Sequence, residues 1–315
     1  MSISSWTIFP RVSAPVLLAL SGAATVAVPA PAMGQAAEEV SAISAREVVA
    51  RGAEAMGGGE NILAIRNITA RGYGQYAYQW GGGRIDGSPH APEKYIAANE
   101  LVRTYDTENN RFQMQERRNM LFPFLARFGH SWAPNNWVLD GNVAYNINGD
   151  TATRVADRME GALWNDGVHM RRMWMLNNPV VLMQRMMRSG TVLGEPYAYG
   201  DHTAVDIVLE EGDRLTAGFA ADGLPAFVRW GNWHANLGQV NMTTWFSGWV
   251  AWDGQGGVLM PLGYTTRLDW RDVDYFKMYI DGFNVNSDIP DLSAPTEIAS
   301  TPAEPASPVL SHVNA

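Results

Sequence analysis

Six histidines, at positions 90, 130, 169, 202, 234 and 312, are the first residues to weigh for chemistry. No two are close enough in sequence to form the short His/Asp run that holds zinc and activates a water. The chain has no cysteine, which removes thiolate ligands, a Cys nucleophile, disulfides and a lipidated N-terminal Cys together. No Gly-x-Ser-x-Gly elbow occurs, and Gly81-Gly82-Gly83 lacks the Lys-Ser/Thr that completes a phosphate cradle. That triplet reads as a turn. His169-Met170 with Met173 and Met175 offers imidazole and thioethers of the kind that attract copper(I), but among Trp174, Leu176 and arginines the run reads more simply as packed structure. Asp272 and Asp274 alternate onto the face of Trp270 and Phe276, which would place carboxylates in a cavity as an acid/base pair, and His234 is a further acid/base candidate. Pairing with Arg267 or Arg271 is the plainer role. Trp230, Trp233 and His234 flank Gly231-Asn232 in an expected loop, where rim packing competes with binding at a cavity mouth. No catalytic residue, metal or cofactor is assigned.

The elements that would position these residues are mostly strands. Ser44-Ala-Arg-Glu47 is a capping box, Val48, Val49, Ala53 and Met56 follow at helical spacing, and Gly57-Gly58-Gly59 ends the helix. Ile62, Leu63 and Ile65 predict one more short turn before a strand begins at Ile68. Strands 101–106 and 111–117 flank the turn Thr107-Glu108-Asn109-Asn110, with Phe112 and Met114 alternating against Gln113, Gln115 and Arg117. Val205, Ile207 and Leu209 alternate, Glu211-Gly212-Asp213 turns the chain, and Leu215, Ala217 and Phe219 alternate back. After Asp222-Gly223-Leu224-Pro225 the meander continues through Phe227–Trp230, Val240–Phe246, Trp249–Trp252 and Tyr264–Ile280. Sequential hairpins predict a mainly β fold, a curved antiparallel sheet or open half-barrel, rather than any βαβ arrangement.

One stretch breaks the rhythm. Residues 157–190 turn helical, and seven of the chain's 15 methionines lie from Met159 to Met187. Asn178 is an N-cap with Pro179 at the first helical position, and Gly190 follows the end. Val180, Met183 and Met187 share a face with Leu182 and Met186, while Gln184, Arg185 and Arg188 fall outside it. Such an insert caps a sheet or acts as a lid over an apolar cavity, and thioether chains let that surface repack around different guests. The expected ligand-contacting residues are Trp174, Val180, Met183, Met186 and Met187, with Trp230 and Trp233 from the strands.

Both ends read differently from the middle. Arg11 is the only charge before Glu38, and the apolar run Val16–Val28 leads into small residues at Ala30-Pro31-Ala32 and Gly34-Gln35-Ala36. Residues 1–36 therefore read as a cleaved export signal, giving a periplasmic or secreted protein with no transmembrane segment. Residues 37–287 form the single β-rich domain. Residues 288–315 carry five of the 17 prolines and read as a linker or disordered tail, mobile from about Ala294 onward. With 32 acidic and 23 basic residues the net charge is −9, which excludes a nucleic-acid partner.

The run from Ala55 to Ile68, then Arg71-Gly-Tyr-Gly74, Asp140-Gly-Asn-Val-Ala-Tyr-Asn-Ile147, Asp222–Pro225 and Pro261–Asp272 resembles a known exported region. That region precedes the catalytic domain of certain periplasmic metallo-β-lactamase-fold hydrolases. It is similar in architecture to the LolA/LolB-like lipoprotein-localisation carriers, whose curved sheet and helical lids enclose a lipid site. The resemblance implies the accessory region alone, because the His-x-His-x-Asp-His zinc run is absent. The leading expectation is a noncatalytic β-domain that binds an apolar small molecule or lipid. Alternatives are a scaffold for a fused or associated hydrolase domain, and a cavity enzyme using Asp272, Asp274 or His234.

Overall fold

The computed structural model describes residues 43–78, 88, 90, 91, 93–124, 127, 128, 133–155, 167–234, 237–251, 257–270 and 273–301. Helix α1 (Ala45–Ala55) starts as its sequence dictates, because Ser44 and Glu47 satisfy each other's backbone N–H groups in a complete capping box. Its end falls at Gly57, whose φ of 111° is closed to other residues at low cost. Helix α2 (Gly59–Leu63) delivers the chain to strand β1 (Asn67–Ala77). Hairpin β2 (Tyr95–Asp106) and β3 (Arg111–Met120) follows, then the small pair β4 (Pro123–Phe124) and β5 (Arg127–Phe128). Next come β6 (Ala133–Asp140), β7 (Val143–Asn148) and β8 (Thr151–Arg154). Helices α3 (Val168–Leu176) and α4 (Pro179–Met187) interrupt the strands. Strands β9 (Val192–Leu193), β10 (Tyr197–Tyr199), β11 (His202–Val208), β12 (Arg214–Phe219) and β13 (Pro225–His234) resume the meander. It ends with β14 (Gly238–Ala251), β15 (Leu259–Leu268), β16 (Val273–Val285) and helix α5 (Thr296–Ala299).

Among the described residues one antiparallel sheet runs β10-β11-β12-β13-β14-β15-β16-β1-β2-β3-β6-β7-β8, with β9 beside β11. The sheet is curved and does not close, so the mainly β expectation holds. Its curl follows from α3, which touches β13 and also β3, β6 and β7. Strands β13 and β6 stand seven places apart in the order, about 33 Å in a flat sheet. Nine helical residues span only about 13 Å. The strands must therefore wrap around the helix.

Side-chain alternation assigns the inner face. Leu215, Ala217, Val228, Trp230, Met242 and Tyr264 all join one apolar core with α1, α3 and α4. Ten of the chain's 15 methionines belong to it. Phe227 takes the opposite parity and packs on the outer side against Tyr199, His202 and Trp245. Gly218 leaves room for its ring, since a Cβ there would lie 2.1 Å from Phe227 Cε1.

Two expectations about the ends are revised or untested by these residues. The stretch after Ser287, expected as a free linker, is bound to the sheet at least as far as Ile298. Leu292 and Ile298 are buried on Val138 and Tyr145 at the outer face. Tyr145 donates its hydroxyl to Leu292 O and Ser293 O, Arg154 donates to Ile298 O, and Asp140 accepts from Ala294 N. Two apolar side chains and these hydrogen bonds dock a proline-containing segment whose own periodicity gave no hint of a core. Residues 1–36 and 302–315 lie outside the described residues.

Candidate functional site

Helices α3 and α4 form as predicted at their junction. Asn178 accepts from Val180 N at 2.9 Å and Val181 N at 3.4 Å, with Pro179 opening the helix. The surprise lies in how fully they are enclosed: every residue from Met170 to Met186 is buried. Gln184 and Arg185, which fell outside the apolar stripe, do not face water. Gln184 donates to Ile62 O and Ile65 O at 2.7 Å each, satisfying carbonyls at the end of α2. Arg185 pairs with Glu211 and donates to Asn110 Oδ1. Amphipathic periodicity misread them because a plug inside a curled sheet has no solvent side.

Of the residues expected to touch a ligand, Trp174, Val180, Met183, Met186 and Trp230 meet in the core, and Met187 packs on its margin. Trp233 does not join them. Strand β13 runs unbroken to His234, where a loop was expected, and keeps register with β14 from Trp230 to His234. Three residues along a strand reverse the face, so Trp233 lies opposite Trp230. His234 shares the Trp230 parity and is buried, which lowers its pKa. Asp274 is elsewhere: the register slips between Thr266 and Arg267, so Asp274 pairs with Arg267 and also bonds Lys277. Burial would raise its pKa, but the hydrogen bonds and charges of Lys277 and Arg267 lower it. Asp274 is thus held at the sheet's other side by basic partners, as the plainer reading had it. Asp272 and the Gly81–Gly83 turn lie outside the described residues.

The copper alternative fails at its histidine. His169 Nδ1 meets Asp213 Oδ1 at 2.6 Å and Nε2 meets Gly231 O at 2.8 Å, leaving no free lone pair. Burial alone would lower the imidazole pKa, yet the hydrogen bond and charge of Asp213, with Gly231 O, raise it. Arg172 also pairs with Asp213 and reaches Gly141 O and Asn142 Oδ1 at 3.2 and 2.5 Å. These contacts tie the helix pair to the β6–β7 and β11–β12 turns at one end of the half-barrel. Arg185 ties it to the β2–β3 turn at Asn110.

At the centre, aromatic rings form a row across the inner face. Trp230 and Trp174 meet edge to face at 5.9 Å, Trp174 and Phe276 at 5.7 Å, and Phe276 stacks on Tyr76 at 4.1 Å. Trp230 Nε1 donates to Asn177 Oδ1 at 3.2 Å. Beside that bond, Trp174 Nε1 and Asn177 Nδ2 are buried donors with no acceptor among the described residues. Leaving a buried donor unpaired costs about 1–3 kcal/mol.

The row ends at a charged group that the sequence reading passed over. Glu116 is fully buried, receiving the Tyr76 hydroxyl at 3.0 Å, Arg103 Nη2 at 2.5 Å and Arg118 Nε at 2.6 Å. Burial pushes its pKa up, but Arg118 and Arg103 overcome this and hold it at about 2. Burial and the neighbouring carboxylate keep the Tyr76 phenol protonated well above its usual range. The signal was present: Glu116 and Arg118 continue the Phe112, Met114 alternation onto the inner face. The change from apolar to charged residues hid it.

No family model and no curated protein sequence matches the chain. Among solved structures, a LolA superfamily protein from Nitrosomonas europaea is 8% identical, covering 80% of this chain and 99% of that one, with a TM-score of 0.43. The Mycobacterium tuberculosis lipoprotein LppX is 8% identical over 79% of this chain and 100% of that one, with a TM-score of 0.28. LprF from Mycobacterium bovis is 7% identical over 79% and 97%, with a TM-score of 0.26. None of the three bears on a tie to a metallo-β-lactamase-fold hydrolase.

Proposed function

We propose that the chain is a noncatalytic carrier that takes an acyl-type ligand between the helix pair and the inner face of the half-barrel. The observation that carries this reading is the pair of unpartnered donors, Trp174 Nε1 and Asn177 Nδ2, inside a methionine-lined core. An acyl carbonyl supplies the acceptor those donors lack, and its chain lies among side chains that change rotamer at little cost. Space for the chain comes from displacement of α3 and α4, which polar contacts at the barrel end hold to the sheet. Burial of each methylene contributes about 0.8 kcal/mol, so some ten of them reach the micromolar range before ordering costs. The test is titration of delipidated protein with a fluorescent acyl probe. Saturable one-site binding is expected, and its absence in folded protein would refute the carrier.

The same reading places the protein outside the cytoplasm, with residues 1–36 removed on export. Its support is the sequence of a short apolar run followed by small residues, and among the described residues no helix is long and apolar enough to cross a membrane. Intact-mass measurement of secreted or periplasmic protein should give a chain beginning between Met33 and Glu38. Recovery of the chain from Met1 would contradict export by cleavage.

A further inference from the structure

The inner face holds a cation that its partners do not use up. Arg103 and Arg118 share the single carboxylate of Glu116, which leaves this group one positive charge in excess. Arg103 is spent: it is 3% exposed and its other bonds go to Val102 O and Gln115 O. Arg118 is different. Only its Nε donates, to Glu116, and among the described residues both Nη groups lack an acceptor. Its side chain is 26% exposed, so those donors are neither walled off nor freely solvated.

The guanidinium is also held in place. Its Cζ stands 4.4 Å from the Tyr76 ring centroid and 4.8 Å from that of Trp137. Arg171 approaches the same Trp137 ring at 5.6 Å, adding positive charge from α3. A long side chain normally loses rotamer freedom when it grips a ligand. Here the two rings and Glu116 have already fixed it. Tyr76 belongs to the aromatic row that leads back to Trp174, so the cation sits at one end of the proposed acyl site.

We propose that Arg118 is the anion subsite for the head of a single-chain amphiphile, a carboxylate or phosphate, whose tail lies along the aromatic row. This rests on the carrier reading above and narrows its ligand from acyl compounds in general to acidic ones. A planar guanidinium with two free Nη groups matches the two oxygens of such a head, and charge-assisted bonds of this kind are the stronger class. Glu116 does not repel the head outright, because Arg103 and Arg118 together outweigh it. Its own role is to hold Arg118 by Nε with the Nη groups turned away from it.

The experiment is calorimetric titration of delipidated protein with dodecanoate, dodecyl phosphate and methyl dodecanoate, which share a chain and differ in the head. Wild type should bind the anions at least about 10-fold more tightly than the ester, one or two charge-assisted hydrogen bonds being worth that factor. A preference for one anion over the other identifies carboxylate or phosphate as the natural head. Arg118→Gln should bring the anions down to the affinity of the ester and leave the ester unchanged. Arg118→Lys, which restores the charge without the fork, should recover part of the preference. Equal binding of acid and ester by wild type would overturn the subsite while leaving the carrier intact, and this comparison needs no variant to fold. An unchanged preference in folded Arg118→Gln would overturn it too. Failure of all three compounds to bind would remove the carrier itself, and the subsite with it.

Discussion

Strands β12–β16 and strands β1, β2, β3 and β6 turn the same side toward the helices, yet they offer different surfaces. The first group presents Leu215, Ala217, Val228, Met242 and Phe276, none of which carries a charge. The second places Glu116 between two guanidiniums, with Tyr76 and Trp137 as walls. Hydrophobic burial explains the first surface without any ligand, since a curled sheet must fill its interior. It does not explain the second. A buried ion group is at best neutral for stability compared with apolar residues of the same volume. Its retention on an otherwise apolar face points to a role in recognition, and the contrast between the halves is that of an amphiphile's tail and head.

Charge should therefore be tolerated in one half and not in the other. The largest effect is expected for Met183→Asp. Met183 is fully buried among apolar groups, and an unpaired carboxylate there costs well over about 4 kcal/mol. Circular dichroism and urea titration should show a chain with no cooperative native transition. A folded variant of near-normal stability would mean that the helix pair is loosely seated and water-accessible. A smaller loss, about 3–5 kcal/mol, is expected when Glu116→Gln leaves Arg103 buried without its countercharge. Denaturant unfolding reads it directly, and a loss below about 1 kcal/mol would show that the charged half is solvated.

The smallest effect concerns pH and the barrel end. The raised His169 pKa means that its bond to Asp213 stabilises the fold below the ordinary value of 6.5 and is lost as pH rises through the folded value. Burial tends to raise the Asp213 pKa, but His169 and Arg172 lower it, so that contribution is lost only as pH falls below the ordinary 3.8. Wild type should therefore lose stability relative to His169→Asn as pH rises above the ordinary imidazole value of 6.5. Parallel stability curves for the two proteins over that rise would show that the contact adds nothing. Arg172 keeps Asp213 paired throughout, which limits the size of the change.

What could be read from the sequence was whatever local geometry decides. The Ser44–Glu47 capping box, the Asn178-Pro179 helix start and the Thr107–Asn110 hairpin turn each depend on a few adjacent residues, and each formed as expected. Long-range pairing decided the rest. A register slip at Arg267 took Asp274 away from the inner face, and an unbroken β13 turned Trp233 outward. Leu292 and Ile298 found their sites on Val138 and Tyr145, well over a hundred residues earlier in the chain. The methionines and tryptophans of the apolar half were legible because composition alone marks them. Glu116 and Arg118 were only half legible: the alternation of β3 gives their face, but parity does not tell a buried charge from a solvated one.

A bound acyl chain should lie between the helix pair and the inner face. Photocrosslinking tests this most directly, using a dodecanoate that carries a diazirine along its chain and peptide mapping of the adducts. Labels are expected on peptides containing α3, α4 and the inner residues of β13–β16, with competition of those labels by unmodified dodecanoate. Labels confined to the outer face, such as the Tyr197–Tyr199 edge or the Phe227–Trp245 cluster, would contradict it. So would labelling that excess dodecanoate does not reduce.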